Sequence, residues 1–257
     1  MSDLNNSRVD YIKVELAGIK LELECVCRQS FLFFRDYLSN FETPDSIISV
    51  TNDEINRKRE TISYISDGHD SSIVADSSVI IENGILLEKI ADLLPTRSAL
   101  FMHGAVVEEN GAAIMFTAPS GTGKSTRARI WMEEYPDSTV VNGDKPFIVI
   151  SDENALACGT PWCGKEGWNT NAKVPLCAIL LLERANEGDA DKLEEIGWRE
   201  AFPTLIKQTY CPLNSNLMRA TIQLLKALEG TVRFYRFISA PTPEAIHLAH
   251  DVILSKV

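Results

Sequence analysis

The chain has 257 residues, 45% of them hydrophobic and 24% charged, a composition typical of one or two globular domains. Its 25 Lys and Arg residues against 36 Asp and Glu residues give a net charge of −11. This acidity excludes a generic nucleic-acid binder and a binder of anionic membranes, because both need concentrated basic side chains. No apolar run approaches the roughly 20 residues of a membrane helix. The first residues lack the basic start and apolar stretch of a secretion signal, so we expect a cytoplasmic protein.

The six cysteines contain no C-x2-C pair, and the four histidines are scattered along the chain. These spacings do not fit a structural zinc site, and we expect the cysteines to be reduced thiols. Residues 1–95 carry a net charge of −8 and residues 96–257 a net charge of −3. We predict a boundary between these two parts, with a mixed α/β region over 1–95 and a second domain over 96–257.

The first region begins with an alternating apolar and polar pattern over residues 11–25, interrupted by Ala17-Gly18, which predicts a β-hairpin. Four apolar residues then recur at helical spacing and predict a helix: Phe31, Phe34, Leu38 and Phe41. Residues 45–51 indicate a strand, after which Asn52 and Asp53 are candidate helix caps. The polar residues 56–78 are expected to form a strand amid loops. Residues 85–94 predict a helix that Pro95 ends.

From residue 99 onward, two apolar runs meet at Asn110-Gly111, a dipeptide that favours a tight hairpin turn. The second run leads into a glycine-rich loop and then a helix that ends near Pro136. Further strands are predicted at 139–142, 147–150, 154–158, 176–182 and 232–238. Further helices are predicted at 199–210, at 215–228 after an Asn214 or Ser215 cap, and at 243–255. Strands interleaved with helices predict an α/β domain.

The glycine-rich loop reads Ala118-Pro119-Ser120-Gly121-Thr122-Gly123-Lys124-Ser125. It fits the phosphate-binding pattern G-x4-G-K-[S/T] except that Ala118 replaces the first glycine. Glycines let successive N–H groups surround an anion, and the helix that starts there adds its N-terminal dipole. The predicted ligands of a nucleoside triphosphate are Ser120, Gly121, Thr122, Gly123, Lys124, Ser125 and Thr126, with the Ser125 hydroxyl on Mg²⁺. A glycine turn without a ligand is the alternative, and the strand before and helix after the loop favour the phosphate site.

A triphosphate site also needs a carboxylate for metal binding or proton removal, and Asp144 ends the next strand. We predict that it binds the metal through water or accepts a proton; a simple turn aspartate is the alternative. His103 lies on the strand that pairs with the one feeding the loop. It is either beside Lys124 or far from it, depending on the register, and a packed histidine is the alternative to a catalytic one.

Two further groups are candidates for substrate contact. The turn-rich stretch 159–166 contains Trp162, Lys165 and Glu166, which could bind an acceptor or cover the nucleotide; a surface loop anchored by Trp162 is equally compatible. Arg127 and Arg129 follow the loop and could reach phosphate; solvated helix side chains are the alternative and the commoner case.

The order of these parts resembles the HPr kinase/phosphorylase family: a strand with His-Gly, a hairpin, a PSGTGKST loop and a strand ending in Asn-Gly-Asp. The likeness covers roughly residues 99 to 185. It implies a nucleotide-binding core shared with phosphoenolpyruvate carboxykinase. It also implies that Lys124 and Ser125 contact phosphates and Mg²⁺ while His103 and Asp144 line the reaction centre, with Asp144 as base. The family usually has two consecutive aspartates, whereas here Lys145 follows Asp144. The sequence looks closer to short, divergent members, among them kinases that phosphorylate lasso-peptide precursors.

The sequence therefore predicts an ATP- and Mg²⁺-dependent kinase that phosphorylates a hydroxyl, foremost a serine of a protein or peptide. Two alternatives stay open: a nucleotide-sensing module without chemistry, and a small-molecule or carboxykinase-like kinase. A homo-oligomer is compatible with the sequence, which does not fix the oligomeric state.

Overall fold

A computed structural model of the chain describes residues 10–65, 78–186 and 188–254. The protein is a mixed α/β structure that divides into two compact units, Met1–Leu93 and Leu94–Val257. The division falls after Leu93, where the sequence placed the boundary after residue 95. The two units are described separately.

The first unit contains a three-stranded sheet in the order β1-β2-β3, with β2 antiparallel to β1 and parallel to β3. Its turn residues Ala17 and Gly18 both have positive φ, 55° and 85°, which fits the right-handed twist of a tight hairpin. The predicted hairpin and the strand after it are therefore confirmed. The elements of this unit are β1 (Asp10–Leu16), β2 (Ile19–Cys25), α1 (Ser30–Phe33), β3 (Ser46–Ser49), α2 (Asn52–Ile65) and α3 (Ser78–Leu93).

The helix predicted from Phe31 to Phe41 is wrong. The chain forms only the four-residue α1 and a 3-10 turn, Arg35–Tyr37, and then becomes extended at Leu38. Leu38 forms a β-bridge with Val14 of β1, so pairing to the strand edge takes precedence over the helical spacing of the apolar residues.

The expected strand within 56–78 is also wrong over its described part, because residues 56–65 belong to α2; residues 66–77 lie outside the described residues. The cap of α2 is Thr51 rather than Asn52 or Asp53. Thr51 Oγ1 accepts from Glu54 N (3.3 Å) while Thr51 N donates to the Glu54 carboxylate (2.9 Å), the reciprocal pair of a capping box.

A buried carboxylate joins α3 to the chain that follows β2. Glu82 is fully buried and accepts hydrogen bonds from Val26 N (2.6 Å) and the Ser30 hydroxyl (2.5 Å). Because a buried carboxylate is costly unless it is hydrogen-bonded, these donors fix the loop to the helix.

The second unit contains a nine-stranded mixed sheet whose main path is β4-β8-β9-β10-β6-β5-β7; β12 also pairs with β10, and β11 pairs with β12. Its strands are β4 (Ala99–Phe101), β5 (Ala105–Glu109), β6 (Ala112–Thr117), β7 (Thr139–Asn142), β8 (Phe147–Ile150), β9 (Ala155–Cys158), β10 (Lys173–Arg184), β11 (Lys192–Ile196) and β12 (Arg233–Ser239). Its helices are α4 (Lys124–Glu134), α5 (Trp198–Lys207), α6 (Ser215–Ala227) and α7 (Pro243–Ile253).

The central strand β10 is parallel to both β6 and β12 and is apolar on both faces. Ile179 and Leu181 join a core that includes residues of α5 and α6, whereas Leu180 and Leu182 join a core that includes residues of α4 and α7. Because successive side chains of a strand point to opposite faces, β10 contributes to two hydrophobic cores, one on each face of the sheet. This explains why β10 reads as an unbroken apolar run.

Most predicted elements of this unit are confirmed, including the hairpin at Asn110-Gly111 and the Asn214 cap of α6. The first apolar run, however, breaks at residues 102–104: β4 pairs with β8, while β5 pairs with β6 and β7. His103 therefore lies between strands and not within one. The charged strand β11, which pairs with β12, was not predicted from the sequence.

Within the described ranges, none of the helices combines the length and the apolar character needed to cross a membrane.

Candidate functional site

The site is built where β6 passes into α4 through the glycine loop (residues 118–123). Gly121 and Gly123 have φ of 78° and 101°, the left-handed region in which a side chain is disfavoured. A Cβ on Gly121 would meet nothing within 4 Å, so this position needs glycine for its backbone angle and not for space. The two glycines of the predicted loop thus set its path into the helix.

Two arginines bind the outside of the glycine loop. Arg127 donates to the carbonyls of Thr122 (3.2 Å) and Gly123 (3.4 Å), and Arg184 donates to the carbonyl of Gly121. In a trans peptide the N–H points opposite to the carbonyl. The amides that follow the Thr122 and Gly123 carbonyls, at Gly123 and Lys124, therefore face away from Arg127, and both residues line the cavity described below. The amide of Thr122, which follows the Gly121 carbonyl, donates instead to the Pro119 carbonyl at 3.4 Å.

Arg127 also connects the glycine loop to the end of β12. It is only 1% exposed and donates from Nη2 to the Ser239 carbonyl at 2.6 Å. Burial lowers the pKa of Arg127, and the charge of Asp191 opposes that change. The interpretation of Arg127 as a solvated side chain is wrong, whereas Arg129 is exposed, pairs with Glu133 at 2.7 Å and lines the cavity.

Lys124, the first residue of α4, folds its side chain back over the loop. It is 7% exposed, and its ammonium donates to the carbonyls of Ala118 (2.9 Å) and Pro119 (3.3 Å). Burial lowers the pKa of Lys124, while the charge of Asp144 raises it and that of Lys145 lowers it. The carbonyl contacts are ones that a mobile ammonium can exchange for stronger contacts with an anion.

Asp144 stands on the turn after β7, shaped by the buried amide side chain of Asn142. Asn142 Oδ1 accepts from the backbone N–H of Asp144 (2.9 Å) and of Lys145 (2.6 Å), and its Nδ2 donates to the Thr160 carbonyl (2.9 Å). This amide was not singled out in the sequence, although an Asn two residues before an Asp at a strand end is a known signal for an Asx turn.

The two carboxylate oxygens of Asp144 have different partners. Oδ1 lies 3.1 Å from His103 Nε2, and Oδ2 forms an ion pair with Lys145 Nζ. Burial raises the pKa of Asp144, but hydrogen bonds and charge from His103 and Lys145 outweigh it and lower the pKa to about 2. Asp144 is therefore ionised throughout the neutral range.

His103 lies at the end of the β5-β6 hairpin that is next to the glycine loop. This placement decides the question that the sequence left open, since His103 and Lys124 line the same cavity. The His103 carbonyl accepts from the hydroxyl of Thr117, the last residue before the glycine loop, at 2.8 Å. Its Nδ1 lies 3.1 Å from Gln208 Oε1, and its backbone N–H donates to the Gln208 carbonyl at 2.7 Å. Gln208, which follows α5, is a partner that sequence analysis missed because it is 105 positions away.

A cavity of about 530 Å³ joins the glycine loop to Asp144. Its lining is His103, Ser120, Gly121, Gly123, Lys124, Ser125, Thr126, Arg129, Gly143, Asp144, Cys163, Gly164, Lys165, Glu166 and Trp168. Three of these side chains are Lys or Arg and two are Asp or Glu. The cavity is thus cationic within a chain of net charge −11, which favours an anionic ligand.

Two predicted residues lie outside this lining. Thr122 turns its hydroxyl to the Pro119 carbonyl at 2.9 Å, a contact within the loop. Trp162, predicted to contact substrate, is only 8% exposed and packs near Phe147, with ring centroids 6.2 Å apart. Its role is to anchor the loop in the core, which was the stated alternative, while Trp168 is the tryptophan that lines the cavity.

The loop between β9 and β10 brings Lys165 and Glu166 to the cavity. Gly143 N donates to the Trp168 carbonyl at 2.9 Å, which ties this loop to the turn that carries Asp144. Gly164 has φ of 76°, and a Cβ there would come within 3.0 Å of Asp144 Cβ. The glycine therefore lets the loop approach the carboxylate closely.

Across the described ranges, no group of three or more His, Cys, Asp or Glu side chains could hold a metal ion by itself. Ser125 and Asp144 nevertheless line one cavity and offer hydroxyl and carboxylate oxygens. Mg²⁺ commonly binds through one or two protein oxygens together with substrate phosphates, and these two residues fit that pattern.

Comparison with known families gives one result. The sequence profile described as SynChlorMet cassette protein ScmC matches residues 72–205, just over half of the chain. The chain belongs to the ScmC family. The segment matched in this ScmC-family chain contains the whole cavity lining. No curated protein matches the sequence. The ScmC name describes no chemistry, so the chemistry has to be inferred from the site.

Proposed function

We propose that this protein is an ATP- and Mg²⁺-dependent kinase that transfers the γ-phosphoryl group to a hydroxyl, foremost a serine of a protein or peptide. The observation that carries the proposal is the shared cavity: Lys124 on the glycine loop and Asp144 on the next turn line the same cationic space. Phosphoryl transfer requires these two elements together, a cation on the phosphates and a carboxylate beside the acceptor.

In this proposal the glycine loop binds the phosphate chain. The amides of Gly123 and Lys124 donate to phosphate oxygens, and the α4 dipole adds to their effect. The Lys124 ammonium leaves the Ala118 and Pro119 carbonyls and binds the outer phosphates. Because Arg127 and Arg184 keep the loop carbonyls turned away, the loop needs little reorganisation when the anion binds.

The transfer step uses Asp144 as the proton acceptor. The acceptor oxygen forms a bond to the γ-phosphorus while the bond from that phosphorus to the β-bridging oxygen breaks, and ADP leaves. The hydroxyl proton moves to Asp144. A carboxylate with a pKa of about 2 is a weak base, and it suffices because the proton becomes acidic only as the oxygen–phosphorus bond forms. His103 positions the carboxylate through Oδ1.

Mg²⁺ would be held by the Ser125 hydroxyl and, directly or through water, by Asp144. When bound, it supplies charge that shields the β- and γ-phosphate oxygens. The acceptor side of the cavity would be formed by Lys165 and Glu166, which lie beyond the glycine loop in the lining.

The fold proposed for Leu94–Val257 is the nucleotide-binding core of the HPr kinase and phosphoenolpyruvate carboxykinase type. Its support is the strand, glycine loop and helix in sequence, followed by a strand that ends at Asp144. The resemblance to HPr kinase/phosphorylase stays a prediction.

A second candidate function is a nucleotide-binding module that senses ATP without chemistry. The ion pair between Asp144 and Lys145 favours it, because this pair occupies a carboxylate that a kinase needs for its acceptor. The two functions differ in turnover and not in binding.

Calorimetry with ATP and Mg²⁺ tests the common part of both candidates. We expect saturable binding that Lys124→Ala weakens at least about 100-fold, the loss of a charge-assisted contact to phosphate in a half-buried site. Lys226→Ala is the matched control, since Lys226 pairs with Glu229 on an exposed surface. Absence of nucleotide binding by the folded wild-type protein would refute the proposal.

Phosphoryl transfer is then measured as ADP formation and labelling by γ-labelled ATP, with serine-containing peptides as acceptors. We expect turnover that Asp144→Asn abolishes while ATP binding persists. ATP binding without ADP formation under any acceptor would favour the sensing module.

A further inference from the structure

The turn that carries Asp144 also holds the backbone of a second charged residue, Lys145, through hydrogen bonds. The Asn142 amide oxygen accepts from the backbone N–H of both Asp144 and Lys145, and the Lys145 carbonyl accepts from the Thr160 hydroxyl at 2.8 Å. Lys145 is therefore held at both ends of its backbone, beside the cavity and not on a free surface loop.

The Lys145 ammonium is part of the charge cluster of the site. It binds Asp144 Oδ2, the oxygen opposite to the one that faces His103. Its charge also lowers the pKa of Lys124, so the two ammonium groups lie close enough to repel each other. Asp144 pairs directly with Lys145 and acts on Lys124 only through its charge, and a polyanion would relieve the repulsion between the two lysines.

The net charge of the turn that carries Asp144 and Lys145 affects how many bound cations are needed before a triphosphate can bind beside it. A turn with two adjacent aspartates carries a charge of about −2 and repels phosphate until bound cations neutralise it. The Asp144-Lys145 pair has no net charge, because the Lys145 ammonium neutralises the carboxylate. Counted together with Lys145, which pairs with Asp144 but does not itself line the cavity, the site holds four Lys and Arg side chains against two carboxylates.

We propose that Lys145 is a second cation of the phosphoryl site, which replaces a divalent ion, so that the nucleotide binds with a single Mg²⁺. This inference rests on the proposed nucleotide binding. In this inference the Lys145 ammonium exchanges between Asp144 Oδ2 and the phosphate oxygens, as Lys124 exchanges between the loop carbonyls and the same phosphates.

The test measures nucleotide affinity and ion number with the β,γ-imido analogue of ATP, which is not hydrolysed, and with Mn²⁺ counted by electron paramagnetic resonance. We expect the wild-type protein to bind one Mn²⁺ with the analogue. Lys145→Ala should weaken analogue binding about tenfold, as loss of one charge-assisted contact would, and Lys145→Arg should restore most of it. Lys145→Asp should bind a second Mn²⁺ with the analogue.

Lys226→Ala is again the control, because it removes one lysine from an exposed ion pair and should leave analogue affinity unchanged. Unfolding midpoints of all variants verify that each is folded; Lys145→Gln replaces Lys145→Ala if that variant does not fold. Two Mn²⁺ ions in the wild-type complex, or unchanged affinity in Lys145→Ala, would overturn the inference while the proposed function stands. If the wild-type protein binds no analogue at all, the proposed function itself is wrong.

Discussion

Replacing Asp144 by Asn should destabilise the second unit at neutral pH, and the effect should shrink in acid. The Asn variant keeps the shape of the side chain but removes the charge that His103 and Lys145 bind. It leaves the Lys145 ammonium without its carboxylate partner in a half-buried site. The same variant tests the assignment of Asp144 as base in the turnover assay, so stability must be measured separately from activity.

The magnitude follows from the pKa of Asp144, which the fold lowers from 3.8 to about 2. A pKa that is lower in the folded state adds stability above the unfolded value, and this stability is lost as pH falls through the folded value. At about 1.4 kcal/mol per pKa unit, the gap corresponds to about 2 kcal/mol at pH 7. By the same relation, about 0.6 kcal/mol of it is lost at about pH 3.5.

Tryptophan fluorescence during urea unfolding measures the free energy of unfolding of the second unit, which contains Asp144. All four tryptophans, Trp131, Trp162, Trp168 and Trp198, belong to the second unit. Their emission therefore reports the unfolding of Leu94–Val257 without a tryptophan signal from the first unit. Unfolding free energies at pH 7 and pH 3.5 are compared for the wild type and the Asn variant.

Asp152→Asn is the matched control, because Asp152 is exposed on the turn between β8 and β9 and its replacement removes the same charge. We expect that control to change stability by less than about 0.5 kcal/mol. If Asp144→Asn is as stable as the wild type at pH 7, or if its deficit does not fall toward pH 3.5, the charge network around Asp144 is wrong.

Three further variants test individual contacts in the two units. Arg127→Met should cost about 3 kcal/mol by fluorescence-monitored urea unfolding, because it leaves buried loop carbonyls unpaired; Arg129→Met, on the exposed face, should cost less than about 0.5 kcal/mol, and equal losses would contradict the assigned role. Gly159→Ala would place a Cβ 1.7 Å from the carbonyl oxygen of Thr170 and should lower the unfolding midpoint sharply. Gly230→Ala is the control, because a Cβ there meets nothing within 4 Å and should leave the midpoint unchanged. A tolerated Gly159→Ala would show that the loop packs differently. Glu82→Gln should cost about 2 kcal/mol in the first unit, seen by circular dichroism and not by tryptophan emission; a change in tryptophan emission alone would refute that location.

The region around the glycine loop was predictable because its signals are local. The bounds of β6 and α4, and the turn at Asn110-Gly111, follow from an apolar run, glycine conformations and a helix start within 25 residues. The first unit was harder. The highly charged α2 has few apolar residues, so its helical pattern is weak. The residues from Phe31 to Phe41 have helical spacing, but the chain there pairs with the edge of β1, which precedes it in the sequence.

The partners of the site residues could not be read from the sequence, since they come from distant positions. Arg127 donates a hydrogen bond to the carbonyl of Ser239, 112 positions away, and His103 Nδ1 lies within hydrogen-bond distance of Gln208 Oε1. Nothing near Trp162 and Trp168 indicates which of them faces the core and which the cavity. Tertiary packing decides such choices, and a local pattern carries no information about them.

Under the proposed function, a small basic cavity in an acidic chain would select polyanions by size. The charge of −11 would repel an extended nucleic acid along its whole length, whereas a triphosphate would be short enough to interact mainly with the lysines that line the cavity. Because screening shortens the reach of both fields, added salt should blunt this discrimination as well as weaken the capture of small anions. The acidity of the chain would therefore contribute to the selectivity of the proposed site.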